Sequence, residues 1–501
     1  MPVTHHQLPL PLPLYRAAQV RELDARLIAA GTPAFELMQR AAHAAWRALR
    51  QRWPHAGSVT VLAGSGNNAG DGYLVAALAQ RAGWQVQVLA VVAPSALRET
   101  AAEAYAEALA AGVAVQPWRV DIPLHGVVVD ALLGTGLTGA VREPFAAAIG
   151  QINASNLPVL ALDLPSGLCA DTGAELGVAV QAELTVTFIA LKLGLLTGAG
   201  PDRVGVLQLD DLHADAQVLA AVAPAAQRLA PANLPRLAAR PRTAHKGLYG
   251  RVLVVGGDRG LGGAALLAAQ AAQRGGAGLV SLATRDEHVP AALARLPEVM
   301  TQGVASANQL LALAANADVL VVGPGLGVQA WGCSLLSAAA SRALPQVWDA
   351  DGLNVLARGG VQLPADAVLT PHPGEAARLL GVSTAQVQAD RPAAALALAR
   401  RYQAVVVLKG AGSLIASTDG RLALCDRGHP AMAGAGLGDV LAGLLGALRG
   451  QGLPAFEAAC LGVWLHASAG EQLAQQGRGL AASELLPAIR QLLEEVSPCL
   501  S

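Results

Sequence analysis

Apolar residues recur at helical spacing from Tyr15 to Leu49, and Gly31-Thr32-Pro33 interrupts the run, so the pattern predicts two helices joined by a turn. The period then changes. SVTVLA at 58 to 63 is a short apolar strand, the glycine-rich segment GSGNNAGDG reads as a loop, and a helix is predicted from Tyr73 to Ala82. The alternation continues with a strand at Val86 to Val91, a helix at Ala96 to Ala110, and the strands GVVVDALLG at 126 to 134 and VLALDLPSG at 159 to 167. A second series follows: RVLVVGG at 251 to 257, a helix from Gly263 to Arg274, GLVSLAT at 278 to 284, DVLVVGPG at 318 to 325, QVWDADG at 346 to 352, AVLTPHPGE at 367 to 375 and AVVVLKG at 404 to 410. Apolar strands alternating with helices predict α/β domains whose parallel sheets are covered on both faces, with ligands gathering at the carboxyl ends of the strands.

A chain of 501 residues exceeds what one core usually supports, and two domains are expected. Between Ala214 and Arg242 the sequence turns Ala- and Pro-rich, with Pro224, Pro231, Pro235 and Pro241 breaking regular structure, which places a boundary near 225. The expected organisation is an arm at 1–14, a first domain at 15–220, a linker or boundary segment at 221–242 and a second domain at 231–501. The arm, MPVTHHQLPLPLPL, lacks the basic start of a signal peptide and its apolar run is broken by Pro9, Pro11 and Pro13, so it reads as disordered. No internal repeat aligns the two halves, which are therefore read as unrelated domains.

Composition narrows the picture. Hydrophobic residues make up 53% but aromatics only 3%, so Ala, Leu and Val must fill the core. Thirty-five Lys plus Arg against 36 Asp plus Glu leave a net charge of -1, which gives no basic field for nucleic acid. No apolar stretch suits a membrane helix. The five cysteines, Cys169, Cys333, Cys425, Cys460 and Cys499, lie far apart without a CxxC pair, as in a reducing cytoplasm. A cytoplasmic enzyme acting on small molecules, and a homo-oligomer, are the expectation.

In the first half, Asn67, Asn68 and Asp71 lie between a strand and a helix, where backbone N–H groups can receive phosphate; a turn that merely needs glycine gives the same string. Asp130 and Asp163 each end an apolar run before a glycine-containing loop, although helix capping explains such carboxylates too. With Asn68 and Ser166 they would present oxygens to a weakly held hard cation such as potassium. GNNAGDG, VDALLGTGL and LDLPSG, in this order over about residues 15 to 215, resemble the YjeF N-terminal domain, the family of NAD(P)H-hydrate epimerases. The resemblance implies a Rossmann-like three-layer fold and contacts to the hydrated nicotinamide nucleotide from Asn67, Asn68, Ala69, Gly70 and Asp71, from Gly134, Thr135, Gly136, Leu137, Thr138, Gly139 and Ala140, and from Asp163. It also implies potassium near Asn68, Asp130 and Ser166, and Asp163 as the acid/base. The chain departs from the family pattern at Ala69, where glycine is usual, and at Cys169, where aspartate is frequent.

In the second half, AMAGAGLGDVLAGLLGAL sets Gly434, Gly436 and Gly438 before Asp439 and an apolar helix. Free N–H groups at the helix start suit a transferring phosphoryl group, and Asp439 stands where it can take a proton from an attacking hydroxyl, unless it only caps the helix. LKGAGS offers Lys409 and a loop to a nucleotide, TPHPGE fixes His372 between prolines, GPGLG adds a backbone surface, and DADGLN adds Asp349, Asp351 and Asn354. With HKGLYGRVLVVGG, these segments over about 231 to 490 resemble the YjeF C-terminal domain, a ribokinase-like family of NAD(P)H-hydrate dehydratases. The resemblance implies ADP as in bacterial-type members, or ATP as in others, with magnesium, at Lys409, Gly410, Ala411, Gly412, Ser413 and Gly438, and NADHX or NADPHX at Ala264, Gly325, Gly327, His372 and Asp439, with Asp439 catalytic. Leu437 departs from the small or hydroxyl residue common at that place. Two other readings stay open on the residues alone: a sugar or vitamin kinase of the ribokinase type, and a nucleotide-sensing protein that binds without turnover.

Overall fold

The computed structural model describes residues 10–500. Two compact units divide the chain, one ending at Gln227 and the other starting at Arg228.

In the first unit, the predicted helical pair is Ala17–Ala29 and Ala34–Arg52. The seven-stranded sheet runs, edge to edge, Val115–Pro117, Gln85–Ala90, Ser58–Ala63, Val127–Ala131, Val159–Leu162, Leu184–Phe188 and Val206–Asp210, every pair parallel. After Ser58–Ala63 the chain builds to one side, and from Val127–Ala131 it builds to the other. The crevice at such a reversal is where open α/β sheets bind ligands. The expected loop 64–72 is shorter than its composition suggests: the helix begins at Asn67 and runs to Arg81, so Asn67 to Asp71 form its first turns. Tight packing explains this, since Ala69, Tyr73, Val75 and Ala76 are fully buried and bring the helix onto the sheet.

The disordered arm expected at 1–14 is corrected at its end, while residues 1–9 lie outside the described residues. Pro13–Leu14 pairs antiparallel with Ala226–Gln227, and Leu14 is fully buried. A leucine that finds a core gains about 1.5–3 kcal/mol, and an edge position tolerates the missing N–H of Pro13.

The second unit has the sheet order Leu422–Cys425, Ser413–Ala416, Val405–Leu408, Ala367–Leu369, Gln346–Trp348, Val319–Val322, Arg251–Val255, Leu279–Thr284 and Met300–Gly303. The first three are joined antiparallel and the rest parallel. Its reversal lies between Arg251–Val255 and Val319–Val322. Helix Leu437–Gly450 packs against helix Gly262–Arg274 so closely that a Cβ on Gly443 would stand 2.0 Å from the carbonyl oxygen of Ala268. Small residues therefore set the height at which the Gly434–Asp439 segment reaches the strand ends. In both units the core is mainly Ala, Val and Leu, as the composition requires. Among the described residues, no helix is long and apolar enough to cross a membrane.

Two candidate active sites at the strand ends

Strand Val127–Ala131 delivers Asp130, fully buried, to the reversal point of the first sheet. Its Oδ1 accepts from Ser166 Oγ at 2.6 Å and from the Leu132 N–H at 3.2 Å, and its Oδ2 accepts from the Ser166 N–H at 2.7 Å. Burial pushes this carboxyl up to about 6 against the pull of those hydrogen bonds. Asn68 Nδ2 donates to the Leu133 carbonyl at 3.1 Å, and the Leu133 N–H donates to Ser166 Oγ at 2.9 Å, so Asn68, Asp130 and Ser166 meet around Leu133. Asn68 Oδ1 is left buried without a hydrogen-bond partner. A buried orphan oxygen among carboxylate, hydroxyl and carbonyl oxygens is a donor set that fits a hard monovalent cation.

Asp163 follows strand Val159–Leu162 with φ 66°, a left-handed angle that costs a residue with a Cβ about 1–3 kcal/mol. Its Oδ1 accepts from Lys192 Nζ, and Thr187 Oγ1 lies 3.3 Å away. Lys192 is fully buried and also donates to Thr187 Oγ1 and to the Phe188 carbonyl, each at 2.9 Å. Asp71 is buried nearby; burial first, then the negative charges of Asp163 and Asp24, hold its carboxyl well above the usual range. Burial and Asp163 raise Asp24 too. The expected loop 134–140 runs half-buried to exposed. A Cβ on Gly134 would lie 3.5 Å from Asn68 Cβ, and the Thr135 carbonyl accepts from Arg21 at 3.1 Å. Ala69 sits in a helical turn outside the left-handed region, so its Cβ is accommodated. Sequence reasoning missed Lys192, Asp24 and Arg21. For Lys192 the signal was present, a single charge in the apolar run TVTFIALKLGLL.

In the second unit, Asp349 follows strand Gln346–Trp348, Lys409 follows strand Val405–Leu408, and Asp439 lies in the first turn of helix Leu437–Gly450. Lys409 Nζ donates to Asp349 Oδ1 at 2.8 Å, and Thr370 Oγ1 donates to the same oxygen at 2.7 Å. Gly438 covers this pair, since a Cβ there would stand 3.2 Å from Lys409 Nζ. Asp439 is pushed up to about 7 by burial and by the negative charge of Asp349, with Lys409 opposing. The N–H groups of Leu437, Gly438 and Asp439 open the helix and have no intrahelical acceptor, which suits an anion. Leu437 turns its side chain into the core, and its carbonyl meets His466 Nε2 at 2.9 Å.

His372 caps helix Pro373–Leu380. The Gly327 N–H donates to Asp351 Oδ2 at 2.9 Å, and a Cβ on Gly325 would lie 3.2 Å from that of Ala264, so these loops adjoin. Within the loop Lys409–Ser413, Ser413 Oγ donates to the Gly410 carbonyl at 3.0 Å. Arg391, buried and missed by sequence reasoning, donates to the Lys409 carbonyl at 3.2 Å and to that of Gly412 at 3.4 Å. Its place at a helix start, far from LKGAGS in sequence, gave no signal.

Residues 34–194 match the family described as YjeF-related protein N-terminus, and residues 252–491 match the NAD(P)H-hydrate dehydratase family. The bifunctional NAD(P)H-hydrate repair enzyme of Coxiella burnetii is 45% identical over 96% of this chain and 99% of its own length. That of Escherichia coli is 42% identical over 92% and 90%. A crystal structure of a ribokinase-like superfamily protein from Enterococcus faecalis superposes with a TM-score of 0.52 at 27% identity, covering 55% of this chain and 97% of that one. Matched in both units and along nearly its whole length, the chain belongs to the family of bifunctional NAD(P)H-hydrate repair enzymes, with a YjeF N-terminal epimerase domain and a ribokinase-like dehydratase domain.

Proposed function

We propose that the first unit interconverts the two C6 epimers of NADHX and NADPHX and that the second dehydrates the S epimer with ADP, releasing NAD(P)H, AMP and phosphate. The observation that carries the reading is the assembly of Lys409, Asp349, Gly438 and Asp439 at the open start of helix Leu437–Gly450. Asp439 takes the proton of the C6 hydroxyl as that oxygen attacks the terminal phosphoryl group of ADP, and the N–H groups of Leu437, Gly438 and Asp439 receive the charge that develops. Phosphate, a better leaving group than hydroxide, then departs from C6 as a C5 proton is lost to water, and the C5–H electron pair becomes the C5–C6 double bond. A carboxyl pushed up to about 7 suits a base at neutral pH. Lys409, Gly410, Ala411, Gly412, Ser413 and Gly438 hold the nucleotide, while Ala264, Gly325, Gly327 and His372 hold the hydrate.

Among the described residues, no three His, Cys, Asp or Glu side chains form a metal cage. Magnesium would therefore come with ADP, held mainly by its phosphates, and would neutralise phosphoryl charge. Potassium would be held by Asn68, Asp130 and Ser166 and would supply a fixed positive charge beside the epimerase substrate. In that site Asp163, held by its ion pair with Lys192, moves the proton, while Asn67 to Asp71 and Gly134 to Ala140 orient the nicotinamide nucleotide. The test is direct. Purified chain with ADP and an epimer mixture of NADH hydrate is expected to restore the full absorbance of NADH and release phosphate; a stable phosphorylated metabolite instead would mark a kinase and overturn the reading.

A further inference from the structure

His372 orients its own ring by capping the helix that follows it. Nδ1 accepts the N–H of Gly374 at 3.0 Å and that of Glu375 at 3.4 Å, which assigns the ring proton to Nε2. Half of this side chain is open, at 51% exposure, whereas that of Glu375 is 6% exposed. Glu375 Oε2 accepts the backbone N–H of His372 at 2.8 Å and lies 3.9 Å from Lys409 Nζ. Its Oε1 lies 3.6 Å from His372 Nε2, too far to consume that N–H. One buried carboxylate thus stands between the histidine on the hydrate side and the lysine on the nucleotide side.

A capping box is served equally by glutamine. Capping alone therefore does not explain a charge in this position, which is costly to bury unless it does something a neutral side chain cannot. We infer that Glu375 is a positioning residue of the dehydratase, its carboxylate holding His372 as an Nε2–H donor toward the hydrate and Lys409 toward the nucleotide, so that one side chain sets the spacing of the two substrates. The inference rests on the functional reading above. Lys409 completes the arrangement, because Asp349 holds it from the other side at 2.8 Å.

The experiment compares E375Q with wild type as full chains, measuring dehydratase kcat and KM for ADP and for NADH hydrate, with the epimerase rate of the same sample as the control for folding. Glutamine keeps an acceptor for the His372 N–H and loses the charge. The expected result is a kcat lower by roughly a hundredfold, the size of loss that small misplacement of a reacting group produces, with the hydrate KM, the epimerase rate and the thermal midpoint close to wild type. A wild-type kcat, or a change confined to thermal stability, overturns the role. Nitrogen NMR of the histidine ring in the wild-type chain gives a second arm that needs no variant: the role requires the Nε2–H tautomer, and the Nδ1–H tautomer overturns it. A wild-type chain without dehydratase activity sinks the functional reading itself, an outcome distinct from an active wild type whose E375Q variant is equally active.

Discussion

Lys409 Nζ donates to Asp349 Oδ1 at 2.8 Å, and the hydrogen of Gly438 is all that separates this ion pair from the helix above it, since a Cβ there would stand 3.2 Å from the nitrogen and 3.3 Å from Asp349 Oδ2. Gly438 is helical, so alanine meets no backbone penalty and is favoured by about 0.8–1.0 kcal/mol on propensity. G438A is therefore expected to keep or raise the thermal midpoint and the epimerase rate while dehydratase kcat/KM for ADP falls by roughly tenfold or more. Steady-state kinetics beside a melting curve check it, and an unchanged dehydratase rate would show that nothing binds against this pair.

The pH dependence follows from Asp439. Burial and Asp349 push its carboxyl up to about 7, and the base must be ionised to act. Dehydratase kcat/KM is expected to rise with pH through about 7, and D439N is expected to lose the activity. The stability effect has the opposite sign. A carboxyl with a raised folded value holds its proton in the folded state after the unfolded chain has lost it, so stability falls as pH rises from the ordinary carboxylate range to about 7. D439N removes that dependence. Its thermal midpoint should match wild type near pH 4 and exceed it at pH 8, and equal midpoints at both would refute the burial argument.

The architecture was legible because its signals are local: apolar runs mark strands, and glycine-rich strand ends mark the ligand crevice. Asn68, Asp130 and Ser166, drawn from three strand ends, do converge, and so do Lys409, Asp349 and Asp439. The supporting groups were not legible. Arg391 acts on the backbone of a loop close to twenty residues away, and no local pattern encodes that reach. Asn67 to Asp71 looked like a loop because glycine and asparagine are weak helix formers, yet burial of Ala69, Tyr73 and Val75 outweighs propensity. Leu14 was hidden for a similar reason, since prolines around it concealed a single leucine whose partner strand comes at 226.

Arg391 gives a prediction for the nucleotide loop. Its guanidinium is buried, which lowers it to about 10 and leaves it charged at neutral pH, and it donates to the carbonyls of Lys409 and Gly412. Lysine cannot reproduce this fork. R391K is expected to raise the KM for ADP by roughly tenfold, equivalent to about 1.4 kcal/mol, while the KM for the hydrate stays near wild type. A parallel rise in both constants would mean that the arginine supports the unit as a whole and does not shape the loop.

Lys192 tests the division of labour between the units. Its ammonium is fully buried and donates to Asp163, Thr187 and the Phe188 carbonyl, so it holds the Asp163 carboxylate in place on its left-handed backbone. Methionine fills similar volume without the charge. Removing one partner of a buried pair costs about 3–5 kcal/mol, so K192M should lower the first thermal transition. Below that transition Asp163 loses its counter-ion and its fixed position, and epimerase activity should fall by at least roughly a hundredfold. The second unit carries neither residue. Given ADP and an equilibrated epimer mixture, K192M should therefore restore NADH rapidly up to the fraction present as the S epimer and then stall, whereas wild type runs to completion. Adding a separately purified active epimerase should release the stalled fraction. Completion by K192M alone would remove Lys192 and Asp163 from the proton-transfer step, and failure in the first rapid phase would show that the substitution disturbs the dehydratase unit as well.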